Sequence, residues 1–324
     1  SFGYASKEHR VTNHIDMRFD TASVTKLFTA VSTLQLVEKG ILNLDDKITE
    51  LVDLSGTKIS DKVTIHHLLS HTSGIADDAD EEAGEDYALL FIDKPNYAIR
   101  NCFDFLPNFA YKDPVFAPGA NVRYNNCAYN LLGMALENKM GIDYRDYVEE
   151  NIFKKAGMIH TGFFAKDEMN YDVAEGYFIG RDKKTGKEKW MKGMYLYPPV
   201  GNPDGGAYST VKDLHRFYES IREGILLNKD LTKQILLPQS EFKRDHKYGY
   251  WQCGYVFEFI KHADRTFCIY KEGSFPGYDA ILCWYPELNI TLCLLANVND
   301  CLWDLHQDIQ QILFDEFQSK QERN

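Results

Sequence analysis

Ser23 stands three residues before Lys26 in the stretch TASVTKLF, residues 21–28. A serine hydroxyl is a weak nucleophile, and a lysine one helical turn on can take its proton once burial has weakened the ammonium. The Ser-x-x-Lys spacing occurs four times, at Ser23, Ser55, Ser209 and Ser240, so spacing alone does not choose. Ser55 adjoins Gly56 in a loop-like stretch, Ser209 reads as a cap at a helix start, and Ser240 follows Pro238 in polar PQSEFKRD. Ser23 instead opens a strongly apolar helical pattern, with Val24, Leu27, Phe28, Val31, Leu34 and Val37 in register and Gly40 as its stop. There the free N–H groups and the positive end of the helix dipole favour a developing oxyanion. A capping serine beside a solvated lysine is the other reading of these residues.

Two further groups of residues bear on that choice. Tyr124 and Asn126, in RYNNCAYNLLG, form the one Tyr-x-Asn of the chain and precede a helical pattern. A tyrosine beside Lys26 can pass a proton to a leaving group, and an amide side chain can hold both lysine and substrate. A turn with a core tyrosine is the plainer alternative. Lys271, Glu272, Gly273 and Ser274 end one strand-like run and lead through a turn to the next. Gly273 would let a substrate lie along the strand edge, and the Ser274 N–H would join that of Ser23 as an oxyanion hole. The Lys184-Thr185-Gly186 sequence, set in GRDKKTGKEKW, reads as a solvated turn.

The elements that must position these residues follow from periodicity. Helices are expected over 23–39, 63–74, 127–141, 143–157, 209–221 and 302–318, the last burying Leu302, Leu305, Ile309, Ile312, Leu313 and Phe317. A Thr210-x-x-Asp213 pair marks the start of the fifth. Aromatic and β-branched runs at 249–259, 265–273, 278–285 and 289–297 predict an antiparallel meander. The expected architecture is α/β (α+β): an antiparallel sheet flanked by helices. Its α/β lobe comes from about 1–45 and 205–324, with a helical lobe, about 46–204, inserted.

Composition narrows the classes. At 324 residues the chain can bury one large core, and a formal charge of -12 with no basic patch argues against a nucleic-acid partner. No apolar run reaches the length of a membrane span. Seven scattered cysteines without Cys-x-x-Cys read as free thiols, which favours a reducing, cytoplasmic setting while leaving open a leader removed before Ser1. His67 and His71 have a zinc-like spacing, but no third ligand is evident, so neither metal nor other cofactor is expected. The acidic run DDADEEAGED, residues 77–86, reads as a solvated loop bordering the cleft and disfavouring anions.

Ser23-x-x-Lys26, Tyr124-x-Asn126 and Lys271-x-Gly273 together resemble the three-part signature of serine β-lactamases and penicillin-binding proteins. The tyrosine is similar to that of the branch holding class C β-lactamases, D-alanyl-D-alanine carboxypeptidases and β-lactamase-like carboxylesterases. The phrases FGYAS, LLSHTSGI, FAPGANVRYNNCAYNLLG, GGAYSTVKDLHRF and EGSFPGYDA fall in the same order as in that family, over essentially the whole chain. The resemblance implies a two-lobe fold with the site between lobes and no metal. It further implies acylation of Ser23, acid–base work shared by Lys26 and Tyr124, substrate orientation by Asn126, and positive charge from Lys271. The expected substrate is a small-molecule or peptide ester or amide. A strict β-lactamase or D,D-carboxypeptidase, and a non-catalytic penicillin-binding sensor or scaffold, are the alternatives.

Two departures from the resemblance matter. The family begins with a helix and a strand before its GYA, whereas here SFGYA comes first, so one sheet edge is expected to be absent or supplied otherwise. Glu272 stands where the related β-lactamases carry threonine or serine. An ionised glutamate donates no hydrogen bond and repels a carboxylate, which predicts weak turnover of β-lactams and better turnover of neutral esters or amides.

Overall fold

The structure is a computed structural model that describes residues 1–91 and 94–322. Helix α1 (Lys26–Glu38) runs through the middle of the molecule, and 11 of its 13 residues are buried. Its Phe28 ring meets Phe153 and Phe217 edge-on at 5.0 and 4.8 Å. Burial of each such side chain contributes about 1.5–3 kcal/mol. Most polar residues of α1 are buried and bonded: Thr29 Oγ1 donates to Pro203 O at 2.6 Å, and Gln35 Nε2 donates to Leu226 O at 3.0 Å, whereas the buried Ser32 hydroxyl has no partner among the described residues. A helix enclosed on all sides is a rigid base for the residues at its start.

Around α1 pack α2 (Cys127–Met140), which stops at Gly141 with φ +66°, and α3 (Val211–Arg222). The Thr210 hydroxyl caps α3 by accepting from Asp213 N at 3.2 Å. Ser209, expected as the cap, lies one residue too early. It forms a short strand with Tyr208 against Phe19–Asp20, and its hydroxyl meets Thr161 Oγ1 at 2.8 Å. The stretch 63–74 is helical only over Ile65–Leu69, because His71 turns into the left-handed region at φ +56°.

The meander contains six strands, β1 (Lys243–His246), β2 (Gly249–Cys253), β3 (Glu258–His262), β4 (Arg265–Phe275), β5 (Tyr278–Tyr285) and β6 (Ile290–Ala296), each antiparallel to the next. The run 249–259, expected as one strand, is two. The chain reverses at Gly254, whose N–H donates to Phe257 O at 2.8 Å. Both faces of β5 are buried, which explains the unbroken apolar run YDAILCWY. Ala280 and Leu282 join the core around α1, while Ile281, Cys283 and Tyr285 meet α4 (Trp303–Glu322).

The buried stripe of α4 differs from expectation. Leu305 and Ile312 are 48% and 69% exposed, and the sheet side instead carries Leu302, His306, Gln310, Phe314 and Phe317. His306 takes an apolar position because its Nε2 meets Cys283 Sγ at 3.2 Å. All seven cysteines are free. At the other end of the chain, Tyr4–Ser6 and Val11–Thr12 form their own hairpin, held to the end of β6 by Asn297 Nδ2 donating to Tyr4 O at 2.9 Å. No helix of the described residues is long and apolar enough to cross a membrane.

Candidate active site

The turn before α1 is strained and tightly held. Ala22 has φ +44°, a left-handed conformation that costs a residue with a Cβ about 1–3 kcal/mol. Asp20, fully buried, fixes it by accepting the Ala22 N–H at 2.8 Å. Thr21 donates from both N and Oγ1 to Ala207 O, each at 2.8 Å, and Ala207 N donates to Thr25 Oγ1 at 3.0 Å. Ser23 is thereby presented at the head of α1 through one 3-10 turn, Ala22–Thr25.

Lys26 Nζ donates to Ser23 Oγ at 2.9 Å, to Asn126 Oδ1 at 2.7 Å and to Asp204 O at 2.5 Å. Tyr124 OH donates to the same Ser23 oxygen at 2.7 Å. Burial and the nearby Lys271 charge pull the Lys26 ammonium down to about 8, while Asp204 and other carboxylates oppose the fall. Tyr124 moves the opposite way: burial and the Glu81 charge push its phenol well above the ordinary value, so it stays protonated. Beneath its ring lies His71, with centroids 4.7 Å apart. Burial and the two lysines push His71 well down, so it is a neutral support.

The second wall is the outer half of β4. Its pairing with β3 ends at Tyr270 opposite Glu258, whereas pairing with β5 continues to Phe275. From Lys271 to Phe275, therefore, the strand is partnered on one side and open on the other, a backbone edge along which an extended substrate can lie. A Cβ on Gly273 would come within 2.5 Å of Thr21 O and 2.6 Å of Ser23 N. Glycine is needed here for the strand to approach the serine turn at all, a more demanding role than room for substrate. Ser274 lines the same cavity, with its hydroxyl donating to Asp279 Oδ1 at 2.9 Å.

Charge in the site departs from the simple expectation of a free cation. Lys271 Nζ is paired with Glu258 Oε1 at 2.8 Å and stands 4.6 Å from the centre of the Tyr124 ring. Burial alone would raise the Glu258 carboxyl, but Lys271, with donors Trp251 and Tyr270, holds it below its ordinary value. Glu272 is on the other side of the strand, its Oε1 3.6 Å from His306 Nδ1 on α4. It edges the cavity, yet Glu258 is the acid that confronts Lys271.

The acidic loop closes a third side. Arg123 binds Asp80 at 2.6 and 2.8 Å, Tyr124 N donates to Glu82 Oε1 at 3.1 Å, and Arg244 stands 3.5 Å from Glu82. This pins Glu81 over a cavity of about 480 Å³ that also exposes Ser23, Tyr124, Asn126 and Lys271.

Thus Ser23, Lys26, Tyr124, Asn126, Lys271, Gly273 and Ser274 meet in one place, while Glu272 directs its carboxylate elsewhere. Lys184–Gly186 sits at the end of an exposed hairpin whose strands are Tyr177–Arg181 and Glu188–Lys192. His67 caps its helix with Thr64, and His71 lies beyond the helix end, so the two do not share a face. Asp77, Asp78 and Cys127 could together reach one metal ion. However, Asp77 already accepts N–H groups from Asn126 at 2.8 Å, Cys127 at 3.1 Å and Asp78 at 3.0 Å, which makes it the cap of α2. The Cys127 thiol is pushed well up by burial and those carboxylates, a poor state for a metal ligand.

Sequence reading missed Asp20, Asp204 and Glu258 as parts of this site, weighed His71 only as half of a metal-like pair, and placed Glu81 only within an acidic run bordering the cleft. Asp204 reaches Lys26 through its backbone carbonyl, which no side-chain motif encodes. Glu258 depends on the β3–β4 register. Its one visible signal is a charge set within the apolar run YVFEF.

The molecule has the β-lactamase/transpeptidase-like fold. The solved structure of a penicillin-binding protein from Bacillus halodurans superposes with a TM-score of 0.88 at 34% identity, covering 96% of this chain and 91% of that one. Penicillin-binding protein 4* of Bacillus subtilis (strain 168) is 28% identical over 308 residues, which is 92% of this chain and 64% of the relative. Esterase EstB of Burkholderia gladioli is 30% identical over 241 residues, 68% of this chain and 61% of the relative. The chain thus spans under two thirds of the length of these two relatives. The family model described as Beta-lactamase matches residues 1–314. With the match running over nearly the whole chain, the chain belongs to the Beta-lactamase family.

Proposed function

We propose that the protein is a serine hydrolase that cleaves neutral esters or amides through an acyl-enzyme on Ser23. The observation that carries this reading is the Ser23 oxygen itself, which accepts from Lys26 at 2.9 Å and Tyr124 at 2.7 Å at the mouth of the cavity. An ammonium already drawn down to about 8 has an appreciable neutral fraction near physiological pH, and a neutral Lys26 takes the Ser23 proton. Ser23 Oγ then bonds to the substrate carbonyl carbon. The N–H groups of Ser23 and Ser274 receive the oxyanion, and Asn126 orients the acyl side. As the carbon–oxygen or carbon–nitrogen bond breaks, Tyr124 gives its proton to the leaving group and regains one from Lys26. Water attacks the acyl-enzyme, the acid leaves, and Ser23 recovers its proton.

The preference for neutral substrates rests on the Lys271–Glu258 pair. A substrate carboxylate would have to displace a buried carboxylate to reach Lys271, which is costly. Names among the relatives, penicillin-binding protein and esterase, fit either substrate class. Intact-mass labelling with a fluorophosphonate, and steady-state turnover of nitrocefin against a p-nitrophenyl ester, test the reading. Labelling lost in Ser23→Ala, with ester turnover exceeding nitrocefin turnover, is the expected result. Equal labelling of the Ser23→Ala protein removes Ser23 from the mechanism, and strong nitrocefin turnover without ester turnover removes the substrate preference.

A further inference from the structure

Tyr124 reaches Ser23 Oγ from a segment that one residue, His71, holds on both sides of it. The His71 carbonyl accepts from Arg123 N at 2.9 Å, and its Nδ1 accepts from Asn125 N at 3.2 Å. Its ring lies against the Tyr124 ring, with centroids 4.7 Å apart and planes inclined by 35°. Asp80, Glu82 and Asp77 also hold this segment, through the Arg123 guanidinium, Tyr124 N and Asn126 N. His71 differs in also meeting the ring that carries the phenol.

His71 is itself firmly fixed. Its backbone sits at φ +56°, a left-handed conformation uncommon for a residue with a Cβ. On α2 the Tyr129 ring stands 5.1 Å from the imidazole, and Tyr129 OH donates to Leu69 O at 2.7 Å. The imidazole therefore packs against two tyrosine rings. Because Nδ1 accepts an N–H, the proton of the neutral ring is on Nε2. That nitrogen is buried with no hydrogen-bond partner among the described residues. A phenyl ring would fill the same space without a stranded donor. It could not accept from Asn125 N, and that acceptor is what the histidine adds.

Resting on the hydrolase reading above, we propose that His71 is the positioning residue of Tyr124: it aims the phenol at Ser23 Oγ and so governs proton delivery to the leaving group. A leaving group that departs as a stable anion needs little of that proton, whereas a basic alkoxide needs it in full. Lost aim therefore harms poor leaving groups selectively, and a small misplacement is enough. A merely structural part for His71 would harm all substrates alike.

The test measures kcat/KM for the 4-nitrophenyl, phenyl and trifluoroethyl esters of butyric acid, whose leaving groups grow steadily more basic. His71→Phe keeps a ring and loses the acceptor. It is expected to lower the trifluoroethyl value by about 30-fold or more and the 4-nitrophenyl value by about threefold or less. His71→Asn keeps a short acceptor and tolerates the left-handed backbone, so its selective loss should be smaller. Tyr124→Phe should show the selective loss in full, and adding His71→Phe to it should leave the ratio between esters unchanged. Equal losses across the series in a folded His71→Phe protein overturn the proposal, as does a further change of ratio in the double variant. Thermal unfolding checks folding, and if His71→Phe does not fold, equal losses in His71→Asn overturn it in the same way. A parent enzyme that uses only the 4-nitrophenyl ester delivers no proton to a leaving group, which overturns it as well. If Tyr124→Phe shows no selective loss, the acid assigned in the hydrolase reading falls and this proposal with it. Selective loss in Tyr124→Phe without any in the His71 variants removes only this one.

Discussion

Two lysines of this molecule share one perturbation and differ in everything else. Lys26 and Lys166 are each drawn down to about 8, in both cases chiefly by burial. Lys26 spends its donors on Ser23 Oγ, Asn126 Oδ1 and Asp204 O. Lys166 lies over the Tyr197 ring at 3.7 Å, 3.8 Å from Asp20 Oδ2, with one hydrogen bond to Pro198 O at 3.2 Å. It borders a second cavity of about 290 Å³ whose lining includes no serine, threonine or cysteine. A weakened ammonium is therefore no mark of catalysis by itself; a hydroxyl within hydrogen-bond reach, presented at a helix start, makes the difference.

Replacing each lysine by methionine gives the largest test of that contrast. Lys26→Met should lower kcat/KM for a p-nitrophenyl ester by about 10³-fold, within the range for loss of a general base. Lys166→Met should stay within about threefold, because it removes a cation–aromatic contact and no proton carrier. Steady-state ester kinetics, with thermal unfolding to confirm folding, measure both. A comparable loss in Lys166→Met would mean that the second lysine also serves the nucleophile.

The pH profile sharpens the same contrast. On the proposed mechanism the active form of Lys26 is the neutral one, and its folded value of about 8 lies below the ordinary lysine value. Accordingly kcat/KM should rise about tenfold per pH unit below that point and level off above it. The Lys271 charge contributes to the lowering, so Lys271→Gln should move the rising limb to higher pH. Lys166→Met should leave the limb in place. An unmoved limb in Lys271→Gln, or none at all, would assign the base elsewhere.

How much of this was legible beforehand depended on how local each feature is. The helix behind Ser23 was readable because Val24, Leu27, Phe28 and Val31 recur within a few residues. Four strand-like runs and the closing helix were readable for the same reason. The reversal at Gly254 was not, since a hairpin and a long apolar strand share one composition. The buried stripe of α4 was misplaced because His306 and Gln310 look like surface residues until Cys283 is brought opposite. In the site, the three motif groups were visible as chemistry, but the partner of Lys271 is fixed by strand register, which a one-residue slip would change. Ala22 illustrates another limit: nothing in an alanine announces a left-handed turn, and Asp20 two residues earlier gives the cause only once both are seen together.

Asp20 touches both sides of the comparison, and separating its two oxygens yields the smallest and most discriminating prediction. Oδ1 accepts from Ala22 N at 2.8 Å, while Oδ2 is buried with no hydrogen-bond partner among the described residues and faces Lys166 at 3.8 Å. Asp20→Asn keeps the first contact and removes the charge. Because Oδ2 makes no hydrogen bond, and the Lys166 ammonium, already drawn down to about 8, can shed its proton once Asp20 is neutral, the change should alter stability by about 1–2 kcal/mol near pH 7 and kcat by under about threefold. Asp20→Ala removes both contacts and leaves the Ala22 N–H unpaired in a strained turn, at a cost of about 1–3 kcal/mol. It should also lower kcat, since Ser23 is aimed by that turn. Chemical denaturation and ester kinetics on the two variants read these effects directly. If Asp20→Asn proves as damaging as Asp20→Ala, the charge rather than the hydrogen bond holds the turn. Lys166 would then belong to the support of Ser23, and the separation between the two lysines would fail.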